Sequence, residues 1–290
     1  MKTILICGAT GFIGKNLLKF YSNKGYKIKA TYFKRGPLYD DHPDVNWVYC
    51  DLRDTTQVKK VLEGVNIVLQ FAATTTGAKD IVSKPYIHVT DNALMNSVLL
   101  RESFECGVEH FIFPSCTVMY QKSNEALKES DYNPSDEILP FYYGAGHTKV
   151  YLENMCRFYA RLGKTKHTVL RHSNIYGPYD KYDLEKSHVT GATITKTMTS
   201  DNGKVIVWGT GEESRDLLYV DDLVELINII IMPNKGKILS LPKDLMTEVV
   251  YGAENRLTSY LSKRGIIDPA SIQGGNVYGS LEATLLQPIN

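Results

Sequence analysis

The chain has 290 residues, of which 43% are hydrophobic and 22% are charged, and its formal net charge is +1. These values are ordinary for a globular protein and lack the basic excess that marks nucleic-acid-binding domains. No run of the sequence approaches the roughly 18 apolar residues of a membrane-spanning helix. We therefore expect neither a nucleic acid nor a membrane as a partner.

Cysteine usage indicates a reducing compartment. The five cysteines form no CxxC pair, and their odd number argues against a disulfide framework. The histidines also lack the spacing of metal ligands, so we predict no metal site. The first apolar run, residues 3–7, leads directly into a glycine-rich segment, which favours a buried strand over a targeting signal. We expect a cytoplasmic protein.

Short apolar runs alternate with amphipathic patterns from residue 1 to residue 180. The runs are rich in β-branched and aromatic residues, as strands buried on both faces are. Predicted strands lie at 3–7, 27–32, 47–50, 67–71, 110–114 and 168–171. Predicted helices lie at 14–24, 56–62, 89–106 and 149–162. This alternation predicts an α/β fold with a doubly wound parallel sheet.

The rhythm changes after residue 180. Helical patterns at 190–199 and 221–231 flank a short predicted strand at 205–208, and a modest helical pattern follows at about 254–263. We expect residues 1–180 to form a nucleotide-binding domain and residues 181–290 to form a smaller substrate-binding lobe. Residues 205–240 are candidates to complete part of the sheet.

The segment 8–14 reads GATGFIG and lies between the first predicted strand and the first predicted helix. Gly8 suits a tight turn, Gly11 lets the backbone approach a pyrophosphate, and Gly14 lets the helix pack closely on the strand. The first N–H groups of the helix would then face the phosphates. The other residues of this predicted loop are Thr10, Phe12 and Ile13. The motif predicts a Rossmann dinucleotide site, and a glycine turn without a ligand is the alternative.

Two cations, Lys34 and Arg35, follow the second predicted strand. A carboxylate at this point binds the adenosine ribose and favours NAD, whereas cations suit the 2′-phosphate of NADP. We therefore expect NADP, with NAD as the alternative. In the other interpretation the two side chains form a solvated loop face.

The ends of the third and fourth strands extend the predicted cofactor site. Asp51 is a candidate to bind the adenine amine, with Leu52 beside the ring. Asp54 suits the N-cap of the helix that follows. Small residues after the fourth strand would let a cofactor pass closely, and this segment consists of Phe71, Ala72 and Ala73.

Five motifs together resemble the extended short-chain dehydrogenases/reductases, the NAD(P)-dependent family of nucleotide-sugar epimerases and dehydratases. They are GATGFIG at 8–14, DLRD at 51–54, FAA at 71–73, NIYGP at 174–178 and RDLLYVDD at 215–222. Within this family, the segments NIYGPYD at 174–180, SHV at 187–189 and VWGTG at 207–211 are similar to the GDP-L-fucose synthase group. The resemblance implies a Rossmann fold, a nucleoside-diphosphate sugar substrate and a homodimer formed by helices 89–106 and 149–162.

The resemblance also implies roles for individual residues. Asn174 would contact the sugar nucleotide and Arg215 its diphosphate. His188 would be one member of an acid/base pair that epimerises the sugar. Cys116, next to Ser115, stands where the family has its catalytic serine; it is either the partner acid in a shifted loop or a buried small residue.

The sequence departs from the family at its tyrosine/lysine pair. Lys149 is in place, but Ala145 stands four residues earlier, where the family has the tyrosine that moves the proton of the sugar hydroxyl. Three accounts remain open. Tyr143 reaches the site from a differently wound loop; the alanine is a deliberate Tyr→Ala substitution; or another group, such as His147, a serine or a cysteine, is the acid.

The sequence thus predicts an NADP-dependent epimerase/reductase that acts on a GDP-type 4-keto sugar. One alternative is a UDP-sugar 4-epimerase or 4,6-dehydratase that holds NAD tightly. The other is a dinucleotide-binding protein whose catalysis is impaired at Ala145. His172, two residues before Asn174, either lines the pocket or is a hydrogen-bonded histidine at the end of a strand.

Overall fold

A computed structural model provides the structure of the chain. It describes residues 1–37, 42–75, 83–121, 123, 127–184, 186–200, 204–205 and 216–232, together with the backbone of 282–286.

Six parallel strands form the centre of the described fold. They are β1 (Thr3–Cys7), β2 (Lys27–Tyr32), β3 (Asn46–Tyr49), β4 (Ile67–Gln70), β5 (His110–Cys116) and β6 (Lys166–His172). Their order is β3-β2-β1-β4-β5-β6, and every neighbouring pair is parallel. The predicted α/β fold with a doubly wound Rossmann sheet is confirmed.

Two further sheet elements come from later parts of the chain. Strands β7 (Asn174–Tyr176) and β8 (Leu217–Tyr219) pair in parallel as a separate two-stranded sheet. Strand β9 (Glu282–Leu286) pairs antiparallel with β6 and extends the main sheet to seven strands in the described residues. The last of these strands therefore belongs to the Rossmann sheet.

Six α-helices are described, and four of them connect the strands of the main sheet. In chain order the helices are α1 (Phe12–Tyr21), α2 (Thr55–Leu62), α3 (Thr90–Glu105), α4 (Tyr143–Arg161), α5 (Val189–Met198) and α6 (Val220–Ile231). Each corresponds to a predicted helix. The predicted strand at 205–208 lies mostly outside the described residues, and the predicted helix at 254–263 lies wholly outside them.

Helix α4 begins at Tyr143, whereas the sequence predicted a start at residue 149. The segment before Lys149 contains Gly144 and Gly146, which are poor helix formers. Close packing explains why glycine nevertheless stands at both positions. A Cβ atom at Gly144 would lie 2.8 Å from Val89, and one at Gly146 would lie 2.8 Å from Ile138. A larger side chain at either position would collide with Val89 or Ile138, so glycine fits there despite its low helix propensity.

The side chains of each strand alternate between two cores. On one face of the sheet, Ile4 packs with Leu17 of α1 and with Leu223 of α6. On the other face, Leu5 packs in a cluster formed with α2, α3 and α4. Helix α6 therefore shares the core of β1, although it lies beyond residue 180. The division of the chain at residue 180 stays a prediction, and α6 and β9 both join the nucleotide-binding unit.

Within the described ranges, no helix combines the length and apolar character needed to cross a membrane. The same residues contain no cluster of three or more side chains that would hold a metal ion. All five cysteines are free, and Cys7, Cys50 and Cys156 are buried.

A buried ion pair connects α4 to β6. Arg171 Nη2 donates to Glu153 Oε2 at 2.7 Å, and the side chains of this pair are only 6% and 3% exposed. The Arg171 Nη1 atom also donates to the Tyr120 hydroxyl at 2.7 Å. Because both charges have left water, each depends on the other for its solvation.

We expect Glu153→Ala to lower the free energy of unfolding by about 3–5 kcal/mol, since it leaves the Arg171 charge buried and unpaired. Urea unfolding measures this loss. The double variant Glu153→Leu with Arg171→Met is the matched control, because it removes both charges and should recover most of the lost stability. A double variant that is less stable than Glu153→Ala would contradict this account of the pair.

A second buried titratable group lies at the start of β6. The ring of His167 is fully buried and lies against Phe111 and Tyr159, with centroid distances of 5.7 Å and 6.5 Å. Its Nδ1–H donates to the Thr165 carbonyl oxygen at 3.1 Å, and Nε2 has no hydrogen-bond partner in the described part of the chain. Burial lowers the pKa of His167 to about 4, so the folded protein holds this ring neutral.

The His167 ring makes stability depend on pH. An unfolded histidine has a pKa near 6.5, so between about pH 6.5 and pH 4 the unfolded chain binds more protons than the folded one. The contribution of the neutral His167 ring to the free energy of unfolding is present above pH 6.5 and is lost as the pH falls towards 4. The free energy of unfolding of the wild type should fall between about pH 7.5 and pH 5. We expect that of His167→Phe to fall by on the order of 1–2 kcal/mol less, and urea unfolding at the two pH values measures the difference. The control is His147→Phe, which replaces an exposed ring; equal pH dependence in the two variants would refute the assignment.

Candidate active site

A cavity of about 460 Å³ lies at the carboxyl ends of the central strands, where ligands bind in open α/β sheets. Many of the predicted site residues line it. From the cofactor prediction they are Gly11, Phe12, Ile13, Gly14, Phe71, Ala72 and Ala73. From the predicted catalytic and sugar-binding groups they are Ser115, Cys116, Lys149, Asn174 and His188. Ala145 and His172 line the same cavity.

The glycine loop forms a close turn between β1 and α1. Gly8 has a φ of +71°, and a Cβ there would lie 2.7 Å from the Ala72 backbone. A Cβ at Gly14 would lie 2.7 Å from the Cα of Ala9, so this glycine allows α1 to approach the strand. At Gly11, by contrast, a Cβ would meet only the Gly8 carbonyl oxygen, at 3.1 Å.

Gly11 directly precedes α1 and lines the cavity. The first N–H groups of the helix are therefore available to an anion at this point. Because the adjacent glycines have no side chains, the start of α1 has room for the pyrophosphate of a dinucleotide. Gly8 and Thr10 shape the turn but do not line the cavity in the described part of the chain.

Lys34 and Arg35 follow the end of β2, and both side chains are exposed. Neither is among the residues that line the cavity. Their predicted contact with the 2′-phosphate of NADP stays a prediction.

Asp51 is held by a neighbouring arginine. Its carboxylate accepts hydrogen bonds from Arg53 Nε at 2.9 Å and from Arg53 Nη2 at 2.8 Å. These bonds hold the pKa of Asp51 below its ordinary value. Leu52 is buried, and neither residue lines the cavity, so their predicted adenine contacts stay predictions. Asp54 caps α2 as predicted, because its side chain accepts from the N–H groups of residues 56 and 57.

Amide side chains that the sequence analysis missed hold the segment after β4. Gln70 Nε2 donates to the Ala72 carbonyl oxygen at 3.0 Å and to Asn96 Oδ1 at 2.9 Å. Asn92 binds both the N–H and the carbonyl oxygen of Thr74, at 2.9 Å and 3.0 Å. The sequence carries one signal for these hydrogen bonds. Amide residues stand at the end of an apolar strand and on the helix that faces it, and buried polar groups need hydrogen-bond partners.

Lys149 and Ala145 lie one turn apart on α4 and both line the cavity. The Lys149 ammonium donates to the Pro114 carbonyl oxygen at 2.6 Å and lies 4.9 Å from the centre of the Phe113 ring. The lysine is thus fixed against the end of β5. The face of α4 that carries it presents only a methyl group at position 145.

Tyr143 does not line the cavity. Its side chain is 61% exposed, and its ring packs on His147 at a centroid distance of 4.4 Å. The preceding residue, Tyr142, does line the cavity. The proposal that Tyr143 replaces the missing tyrosine stays a prediction, and Tyr142 is the tyrosine that the fold brings to the site.

Ser115 and Cys116 end β5. Ser115 is fully buried, with its hydroxyl 4.0 Å from the sulfur of Met119. Burial raises the pKa of the Cys116 thiol above its ordinary value, and the nearby charge of Lys149 only partly opposes this. The thiol is therefore protonated at neutral pH and is a proton donor rather than a nucleophile.

Asn174 and His188 line the cavity from the segment after β6. Asn174 Nδ2 donates to the Asp216 carbonyl oxygen at 3.3 Å and so joins β7 to the start of β8. Neighbouring protein atoms partly desolvate His188 and hold its pKa below the ordinary value, although the carboxylate of Asp180 opposes the shift. Arg215 lies outside the described residues, and its predicted diphosphate contact stays a prediction.

Two proteins of known activity are similar to this chain in sequence. A GDP-mannose 3,5-epimerase from Oryza sativa subsp. japonica is 28% identical over 228 residues, which are 77% of this chain and 59% of that protein. A GDP-L-fucose synthase from Sinorhizobium fredii is 28% identical over 232 residues, covering 76% of this chain and 68% of that protein. The chain thus spans well under two thirds of the length of the rice enzyme.

A UDP-glucose 4-epimerase from Thermotoga maritima, solved with UDP-glucose, has a similar structure. Its TM-score is 0.68 at 25% identity, over 80% of this chain and 74% of that one. The NAD dependent epimerase/dehydratase family matches residues 4–239. This match covers the glycine loop, the parallel sheet and the cavity, and it confirms the resemblance that the motifs predicted. The chain belongs to the NAD-dependent epimerase/dehydratase family of short-chain dehydrogenases/reductases.

Proposed function

We propose that this chain is an NADP-dependent epimerase/reductase that acts on a 4-keto sugar carried by a nucleoside diphosphate of the GDP type. The observation that carries the proposal is the convergence of different groups on one cavity. The glycine-loop helix start lines it together with Lys149, Cys116 and His188. These are a phosphate-binding element, a cation and two proton-transfer groups.

The dinucleotide would lie along the carboxyl edge of the sheet. Residues 11–14 would hold the pyrophosphate, and the small side chains of Ala72 and Ala73 leave room beside it. Lys149, fixed by the Pro114 carbonyl, would hold the nicotinamide ribose. When bound, a nicotinamide cofactor supplies hydride transfer. Lys34 and Arg35 are exposed at the end of β2 and would bind the 2′-phosphate that distinguishes NADP.

The sugar nucleotide would occupy the other part of the cavity. Asn174 would contact the sugar nucleotide, and Arg215 would bind the diphosphate through its planar guanidinium. His188 and Cys116 have complementary protonation states, because partial desolvation lowers the pKa of the first and burial raises that of the second. A neutral imidazole would accept a proton from the carbon next to the keto group, and a protonated thiol would donate one.

The names of the relatives favour a guanine nucleotide. Three of the proteins most similar in sequence are a GDP-mannose 3,5-epimerase, a GDP-L-colitose synthase and a GDP-L-fucose synthase. The similar solved structure of a UDP-glucose 4-epimerase favours the alternative, a UDP-sugar 4-epimerase or 4,6-dehydratase with tightly held NAD. Ala145 favours a third candidate, a dinucleotide-binding protein with impaired catalysis.

We further propose a homodimer formed through α3 and α4. These neighbouring parallel helices expose large apolar side chains, which are Leu94 at 50%, Tyr151 at 43% and Phe158 at 50% exposure. Burial of such groups between two copies would remove apolar surface from water. The five free cysteines suit the reducing cytoplasm as the place where the enzyme works.

Calorimetric titration of the purified chain with NADP, NAD, GDP and UDP tests the proposed ligands. We expect NADP to bind at least about tenfold more tightly than NAD, because only NADP engages both cations after β2. We expect GDP to bind more tightly than UDP. NAD and UDP as the preferred pair would replace the proposal with the UDP-sugar alternative, and binding of none of the four ligands would overturn it.

Two alanine variants of the glycine loop separate ligand binding from folding. Gly11→Ala adds a methyl group beside the helix start and should weaken dinucleotide binding about tenfold or more, with a melting temperature close to that of the wild type. Gly14→Ala forces α1 away from β1 and should lower the melting temperature by several degrees. Calorimetry and thermal unfolding give the two readouts. Unchanged dinucleotide affinity in Gly11→Ala would remove this loop from the binding site.

A further inference from the structure

Ala145 stands where the family has its tyrosine, so α4 provides no tyrosine for proton transfer at that position. His172 lines the same cavity. It is the last residue of β6, and its register partner on the parallel strand β5 is Cys116. Both residues line the cavity together with Ala145 and Lys149. The imidazole therefore occupies the carboxyl edge of the sheet, where ligands of doubly wound folds bind.

One hydrogen bond fixes the tautomer of this ring. His172 Nδ1 lies 2.8 Å from the Ser173 carbonyl oxygen. A carbonyl oxygen can only accept, so the proton of the neutral ring is on Nδ1 and Nε2 keeps its lone pair. Nε2 has no hydrogen-bond partner among the residues that the structure describes. The ring thus presents one free acceptor, whose orientation a backbone contact sets.

The surroundings of His172 keep the ring neutral. Burial lowers its pKa to about 4, and the positive charge of Lys149 on α4 acts in the same direction, as His188 before α5 does when protonated. Cys116 on β5 faces it as an uncharged thiol, because burial raises the pKa of that group. At neutral pH the imidazole is therefore unprotonated and able to accept a proton.

We propose that His172 Nε2 accepts the proton of the sugar hydroxyl that is oxidised in this cavity, in place of the tyrosine that Ala145 replaces. The proposal rests on the function proposed above. As the hydroxyl O–H bond breaks, its electron pair completes the carbonyl, the hydrogen on the same carbon leaves as a hydride to the nicotinamide dinucleotide, and the proton goes to Nε2. Reduction of a keto sugar is the same step in reverse, with the proton returned to oxygen.

Tyr142 is the competing group, since it also lines the cavity. It precedes α4 and packs its ring edge-on against Phe141 at a centroid distance of 4.8 Å. It is the N-cap residue of α4, directly before the helix that carries Ala145 and Lys149. Tyr142→Phe is therefore the matched control, as it removes only a hydroxyl group.

Nitrogen NMR of the wild-type protein labelled in histidine tests the ring directly, with His172→Gln used to assign its signals. We expect the Nδ1–H tautomer in the free protein. GDP-mannose or UDP-glucose, added with NADP or NAD, should shift the Nε2 signal, whereas GDP or UDP without a sugar should not. A ring protonated on Nε2 would overturn the proposal, and so would an Nε2 signal that a bound sugar nucleotide leaves unchanged.

Reduction of the dinucleotide by the bound sugar nucleotide gives the second readout. His172→Gln should bind both ligands with wild-type affinity but react about 100-fold or more slowly, and Tyr142→Phe should stay within a few fold of the wild type. The wild-type rate should fall as the ring is protonated at low pH, and His172→Gln should lose that dependence. The reverse ranking of the two variants would assign the proton to Tyr142 and overturn the proposal.

The proposed function and the role of His172 are tested by different outcomes. If calorimetry detects no sugar-nucleotide or dinucleotide binding, the proposed function is wrong and the role of His172 is overturned with it. If both ligands bind and the Nε2 signal does not respond, only the role of His172 is wrong. If His172→Gln does not fold, the NMR measurement on the wild-type protein decides alone.

Discussion

The buried ion pair between Arg171 and Glu153 fixes the two elements on which the candidate site depends. Glu153 lies one helical turn after Lys149 on α4, and Arg171 directly precedes His172 on β6. The 2.7 Å contact between the two charges therefore sets the position of the lysine relative to the histidine. Since neither charge has water to replace its partner, the helix cannot shift along the sheet without a large loss of stability.

The missing tyrosine changes the chemistry of this arrangement without changing its frame. Ala145 keeps the helix face intact, and Lys149 is still held by the Pro114 carbonyl oxygen at 2.6 Å. A site that had lost its function would not need to keep that lysine fixed or to keep an unpaired imidazole nitrogen at the same cavity. The retained contacts favour a site in which proton transfer has moved from the helix to the end of β6.

The sequence predicted the sheet well because parallel strands buried on both faces are continuous apolar runs. Strands β1, β4, β5 and β6 show that pattern most clearly, whereas β2 and β3 are partly exposed, and the glycine loop follows from its place after the first strand. The start of α4 was misplaced because Gly144 and Gly146 have low helix propensity, and only the fold shows that larger side chains there would collide with Val89 and Ile138.

The candidate site was predictable residue by residue only where a motif named it. Gln70 and Asn96 are 26 positions apart and meet only through the packing of α3 on β4. The Glu153–Arg171 pair joins residues 18 positions apart, and nothing in the spacing indicates it. The exposure of Tyr143 and the position of Tyr142 beside the cavity depend on where α4 begins. Such contacts are products of the tertiary fold, so a linear pattern does not contain them.

Burial gives the cavity a consistent protonation chemistry. It raises the pKa of the Cys116 thiol and lowers the pKa of His172, and partial desolvation by neighbouring atoms lowers the pKa of the more exposed His188, so all three groups are uncharged at neutral pH. An uncharged thiol donates a proton, and an uncharged imidazole accepts one, without first separating charge in a poorly solvated space. The low polarity of the cavity makes ionised groups costly, and it thereby keeps one proton donor and two proton acceptors uncharged. The proposed epimerisation and hydroxyl oxidation both move protons, and the groups that would give and accept them line one cavity.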